Sequence, residues 1–138
     1  MNKAQPVIAT DNLTKVYTSR QGEVRALDSL TLGVQRGEIF GYLGPNGAGK
    51  TTTIRMLLDL IRPTAGRAAI FGMDVRAHSV ALHRRIGFLP GELNLWKGRT
   101  AHQIVRYIAS VRGMQDTTHA YELADRLQLD MSRRVRDY

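Results

Sequence analysis

The stretch IFGYLGPNGAGKTTTIRML, Ile39 to Leu57, constrains this chain more than any other part of it. A short apolar run leads into a glycine-rich turn, and the turn opens into an amphipathic segment. Gly44-Pro45-Asn46-Gly47-Ala48-Gly49-Lys50-Thr51 satisfies G-x-x-x-x-G-K-[ST] at every fixed position. Glycines at 44, 47 and 49 let the backbone take positive φ and approach an anion closely. The loop N–H groups then converge as a nest, backed by the N-terminus of the helix that begins near Lys50. The Lys50 ammonium suits the β- and γ-phosphates of a nucleotide, the Thr51 hydroxyl suits Mg²⁺, and Thr52 suits the α-phosphate. A chance match to the fixed positions has odds on the order of one in a few hundred for a chain of this length. The strand before it and the helix after it make a mere glycine-rich turn the weaker reading.

The flanking sequence predicts an α/β fold. VIATDNLTKVY and VRALDSLTLGV each contain an alternating, β-branched stretch and read as strands, with SRQGE as the turn between them. QRGE is a second turn, leading into a strand over Ile39 to Leu43. Ile54, Leu57, Leu58 and Ile61 then form one apolar helix face, and Pro63 is expected to stop that helix. PTAG is a turn, RAAIFG a short strand, 79–85 a short helix, and IGFLP another buried strand. Asp74 in FGMD reads as a turn residue. Two further helices are predicted, one on Ile104, Tyr107, Ile108 and Val111, the other on Ala120, Leu123, Ala124 and Leu127. The order suggests a P-loop NTPase core over 1–90 running into a helical subdomain over 91–138.

Composition removes several classes. With 138 residues and 43% of them apolar, the chain can bury a core. It has no cysteine, which excludes disulfides and a catalytic thiol. No window reaches the length of a transmembrane helix, and MNKAQPVIATDN lacks a signal-peptide core, so a cytosolic chain is expected. The formal net charge is +8. Its basic residues are interleaved with acidic ones, and the densest cluster is Arg133, Arg134 and Arg136. A solvated basic surface is the plainest reading, with anionic lipid or a partner protein next and nucleic acid last. His78, His83, His102 and His119 show no metal-ligand spacing and read as surface or helix-face residues.

GPNGAGKTT, preceded by RGEIFGYL and followed by RPTAG, resembles the ATP-binding subunit of ABC transporters, in the variant that serves ABC-2-type exporters of drugs and other small molecules. The resemblance runs from about Ile8 to Tyr138. It implies ATP and Mg²⁺ as cofactors, with Thr51 on the metal, and adenine stacked on Tyr17. It also implies a transmembrane permease as partner, docked on the helical segment, and a second ATP-binding subunit completing a dimer. Such a subunit would lie at the inner face of the cell membrane, with no role for nucleic acid.

Two departures from the family pattern stand out. Where the family carries a glutamine after the strand resembling IGFLP, this chain has Gly91 and then Glu92. The family's signature loop would begin at about Tyr138, and the Asp-Glu pair and switch histidine would lie beyond it. The expectation is therefore the N-terminal part of an ABC-type subunit, able at most to bind ATP as it stands, with its catalytic residues unknown. The alternative is a short, non-hydrolysing ATP-binding module that pairs with a partner subunit. A chain ending at Tyr138 would also leave its central sheet short of neighbours, which predicts marginal stability.

Overall fold

The computed structural model describes residues 5–20, 22–91 and 96–137, and the chain divides into two compact units between Gly87 and Phe88. The first unit contains β1 (Ile8–Ser19), β2 (Gly22–Val34), α1 (Lys50–Leu57), β3 (Ala65–Ile70), β4 (Met73–Asp74) and α2 (Ser79–His83). Its sheet is antiparallel throughout, in the order β2-β1-β3-β4. The long central strand β1 pairs Ile8 with Val34 on one side and with Ile70 on the other. Both strands expected before the glycine-rich loop are present, and Ser19 meets Gly22 across their turn.

The register of β1 is interrupted near Asn12 and Thr14. Buried threonines restore the hydrogen bonds lost there. Thr10 Oγ1 donates to Leu30 O at 2.9 Å and accepts from Leu32 N at 3.0 Å. Thr14 Oγ1 donates to Asn12 O at 3.1 Å and accepts from Ser29 N at 2.9 Å. The irregularity presses on β3, where Gly66 has φ = 76° and a Cβ would lie 2.2 Å from Asn12 O. Only glycine fits there. The β3–β4 hairpin turns through Phe71 and Gly72, both at positive φ, as a two-residue loop matching strand twist requires.

Leu13, Leu27, Met56, Ala68, Ile70, Val75 and Leu82 form the core of this unit, with α1 laid against the sheet. The helix buries Thr53 and Met56, whereas Ile54, expected on the apolar face, is 38% exposed. Leu57 and Ile61 are only half-buried against the core. Leu58, also on the expected face, is buried, so of that face only Ile54 departs from the expectation, while Thr53 and Met56 join it inside. Nor does α1 run to Pro63. Asp59 takes φ = 53°, its N–H bonds to Met56 O at 3.0 Å, and Leu60 N–H bonds to Arg55 O at 2.9 Å. This left-handed closure satisfies carbonyls of the last turn and ends the helix at Leu57, six residues before the proline.

The expected strands at Ile39–Leu43 and at IGFLP form no ladder among the described residues. In the first, the Phe40 and Tyr42 rings stack with centroids 6.4 Å apart. Ile39 and Leu43, however, are almost wholly exposed. A continuous apolar run suits a parallel strand flanked by others. The four described strands pair among themselves, and this segment pairs with none of them.

The second unit holds α3 (Ala101–Val111), α4 (Thr118–Arg126) and a 3-10 turn at Val135–Asp137. A capping box starts α3: Thr100 Oγ1 accepts from Gln103 N, and Gln103 Oε1 accepts from Thr100 N at 3.1 Å. Left-handed residues at Gly113 and Gln128 close the two helices. Of the expected faces, Ile104 and Ala124 are buried, but Tyr107, Ile108, Val111, Leu123 and Leu127 are not. Two short helices cover only one side of each other, and an apolar cleft of about 470 Å³ remains between them.

Candidate functional site

The glycine-rich loop is held from below. Gly49, the residue before α1, has φ = 82°, and a Cβ there would sit 2.4 Å from Ala26 O and 3.0 Å from Leu27 Cδ1. The loop therefore rests directly on the backbone of β2. Gly47 also has positive φ, at 84°, but a Cβ there would meet nothing within 4 Å. At Gly44 the nearest atom would be Ala48 Cβ, at 3.3 Å.

From this seat α1 starts with its N–H groups directed back toward the loop. The first helical bond is Thr53 N–H to Gly49 O at 2.8 Å, so the N–H groups of Lys50, Thr51 and Thr52 have no intrahelical acceptor. No acidic side chain lies in the first turn to neutralise the positive end of the helix. The Lys50 ammonium bonds Gly44 O at 2.5 Å and Pro45 O at 2.7 Å. Two of its three donors are thus engaged, with one remaining. Ala48 N–H closes the loop on Pro45 O at 3.2 Å. Pro45, Asn46, Gly47 and Ala48 are exposed, Thr51 is exposed and Thr52 half-buried.

Two side chains not singled out from sequence complete the support. Buried Thr53 donates from Oγ1 to Gly49 O at 3.0 Å, and the Tyr42 hydroxyl lies 3.2 Å from the same Oγ1. A polar residue on the inward side of an amphipathic helix was a usable signal for Thr53. Nothing in the local pattern marks Ala26, whose role is its carbonyl.

Tyr17 sits at the far end of β1, opposite Val24. Two residues along β2 from Val24 is Ala26, the strand position under Gly49. The tyrosine is 42% exposed, and Lys15 Nζ lies 4.9 Å from its ring centroid. Asp74, expected in a turn, is instead the last residue of β4, paired with Ala69, and its carboxylate accepts the N–H groups of Arg76 and Ala77 in the turn that follows, each at 2.9 Å. Gly91 is exposed with open space around it, and Glu92 lies outside the described residues. His83 Nε2 lies 2.8 Å from Leu58 O, and His102 Nδ1 lies 3.2 Å from the Tyr121 hydroxyl. Among the described residues no three His, Asp or Glu side chains group as a metal site, and no helix is long and apolar enough to cross a membrane.

A glycine-rich loop and helix N-terminus mounted on a mixed strand-and-helix unit define a P-loop NTPase fold, and comparison with known proteins narrows it. The sequence profile of the ABC transporter family matches residues 27–138, and the chain belongs to that family. It is 38% identical over 80% of its length to the probable multidrug ABC transporter ATP-binding protein YbhF of Escherichia coli (strain K12). It is 41% identical over 78% of its length to the bacitracin transport ATP-binding protein BcrA of Bacillus licheniformis. The solved ATP binding subunit of an ABC transporter superposes on 93% of the chain with a TM-score of 0.76 at 25% identity. The chain spans 18% of YbhF, 34% of BcrA and 54% of that solved chain.

Proposed function

We propose that this chain supplies the phosphate grip of an ABC transporter's ATP-binding subunit, with ATP and Mg²⁺ as its ligands. The observation that carries the reading is the seating of Gly49 on β2, which sets the open N-terminus of α1 beside the loop whose carbonyls hold the Lys50 ammonium. The donor set fits a polyphosphate: free helix N–H groups, a glycine-rich loop and a cation, without a carboxylate in the helix's first turn. Gly44, Pro45, Asn46, Gly47, Ala48 and Gly49 wrap the phosphates, Lys50 meets the β- and γ-phosphates, and Thr52 the α-phosphate. Thr51 offers Mg²⁺ one hydroxyl oxygen, and phosphates and water complete such a shell. Bound Mg²⁺ would neutralise phosphate charge. Adenine stacks on Tyr17, which the short path along β2 from Val24 to Ala26 supports. Base–aromatic stacking contributes roughly 1–3 kcal/mol.

On this reading residues 1–90 are the first part of the ATP-binding core and 91–138 begin the helical subdomain. The subdomain docks a transmembrane permease, and a second ATP-binding subunit faces the first, at the inner surface of the cell membrane. The names of YbhF and BcrA favour export of drug-like molecules. Lys50→Ala tests the site. Losing a charge-assisted contact of about 1.5–3 kcal/mol predicts at least a tenfold weaker Kd for ATP in equilibrium titration. Unchanged ATP affinity in that variant defeats the reading.

A further inference from the structure

A chain of hydroxyl groups ties the two ends of the glycine-rich loop together from outside its glycine pattern. Gly49 O, the carbonyl that opens α1, accepts twice: from Thr53 N–H at 2.8 Å and from Thr53 Oγ1 at 3.0 Å. Two donors fill both of its lone pairs. A threonine hydroxyl has one proton, and here Gly49 O takes it. The Tyr42 hydroxyl, 3.2 Å from Thr53 Oγ1, is therefore the donor in that contact. The chain runs from Tyr42 O–H to Thr53 Oγ1–H to Gly49 O. Thr53 is 1% exposed, at a position where an apolar side chain would serve packing as well. Tyr42 reaches it from the other end of the loop, two residues before Gly44, with its ring stacked on that of Phe40.

We propose that Tyr42 and Thr53 are positioning residues that set the aim and the donor strength of the Lys50 N–H toward a polyphosphate. The proposal rests on the phosphate reading above and deepens it. Gly49 C=O and Lys50 N–H belong to one planar peptide, so they point in opposite directions. A carbonyl held inward by two donors holds the Lys50 N–H outward, and that N–H has no intrahelical acceptor. The same two donors polarise the peptide. Hydrogen bonds in series strengthen one another by roughly 10–30% per bond, and the gain is largest where the last acceptor is an anion. Neither side chain touches the nucleotide; both act through the peptide between Gly49 and Lys50.

The 138-residue protein and its variants are titrated with ATP and with tripolyphosphate, which has no adenine and so bypasses Tyr17. Circular dichroism first establishes that each variant is folded. Tyr42→Phe keeps the ring and removes the hydroxyl. It should weaken both ligands by the same factor, about two- to fourfold, and move the Lys50 amide proton upfield in NMR spectra of the free protein. Thr53→Val should weaken both about fivefold, whereas Thr53→Ser, which keeps the hydroxyl, should bind as wild type does. Tyr121→Phe, which removes a hydroxyl from the second unit, should change nothing. Wild-type tripolyphosphate binding in Tyr42→Phe, an unmoved Lys50 amide, a loss confined to ATP, or equal losses in Thr53→Ser and Thr53→Val each overturn the proposal. Lys50→Ala, titrated in parallel, separates the two claims. A loss there without one in Tyr42→Phe removes the positioning role and leaves the phosphate grip standing; no loss in Lys50→Ala removes both.

Discussion

Gly49→Ala tests how the phosphate loop is seated, and the structure separates its two costs. An alanine at φ = 82° lies in the left-handed region, which disfavours a Cβ by roughly 1–2 kcal/mol. The added methyl would also stand 2.4 Å from Ala26 O, a backbone atom that cannot swing aside like a side-chain tip. Either α1 or β2 must move, and overpacking of this kind costs typically 1–3 kcal/mol more. The total is about 2–5 kcal/mol. Gly47→Ala is the matched control, since its φ of 84° carries the same conformational cost but its Cβ meets nothing within 4 Å. Urea unfolding followed by circular dichroism, with ATP titration in parallel, should rank wild type above Gly47→Ala and Gly47→Ala above Gly49→Ala. Gly49→Ala should also lose more ATP affinity, because displacing α1 moves the N–H groups proposed to meet the phosphates. Equal stability of the two variants would refute the claim that the loop bears on β2.

Two further outcomes test the fold itself. Leu13 is fully buried at the centre of the first unit, and Leu13→Ala should cost about 2–5 kcal/mol, read as a lower urea midpoint. The N–H of Ala77, followed by that of Arg76, holds the Asp74 carboxyl below its ordinary value of 3.8. With the folded value depressed, its stabilisation is present above about pH 4 and is lost as pH falls through the folded value. Asp74→Asn should therefore show a smaller stability loss than wild type between neutral pH and pH 3, in melts compared side by side.

Much of this arrangement was legible in the chain because it depends on neighbours in sequence. The glycine spacing with Lys50 and Thr51 specifies a phosphate loop through backbone freedom and charge alone. Thr100 with Gln103 starts a helix through hydrogen bonds three residues apart. The β1–β2 pair follows from alternation and a short turn at Gly22. Other features were not legible, since they turn on what lies opposite. The apolar run Ile39–Leu43 has a strand's composition, yet a strand exists only where an edge accepts its backbone, and composition does not encode the partner. The apolar stripe on α1 located a helix and its inward Leu58, but the sheet beneath it also took Thr53 and Met56 inside and left Ile54 exposed.

The sequence by itself determined the chemistry of the loop: which donor groups it offers, and that a helix follows them. Only the tertiary structure decided that Gly49 admits no Cβ, because the obstructing atom belongs to Ala26 on another strand. Likewise, only the tertiary structure set Arg134 beside Lys97 and Arg99, through backbone bonds between segments far apart in the chain. Torsional preference and helical or strand periodicity act over a few residues and can be read along a chain. Steric exclusion and the convergence of charge act through space, and they take their values only after folding has brought distant atoms together.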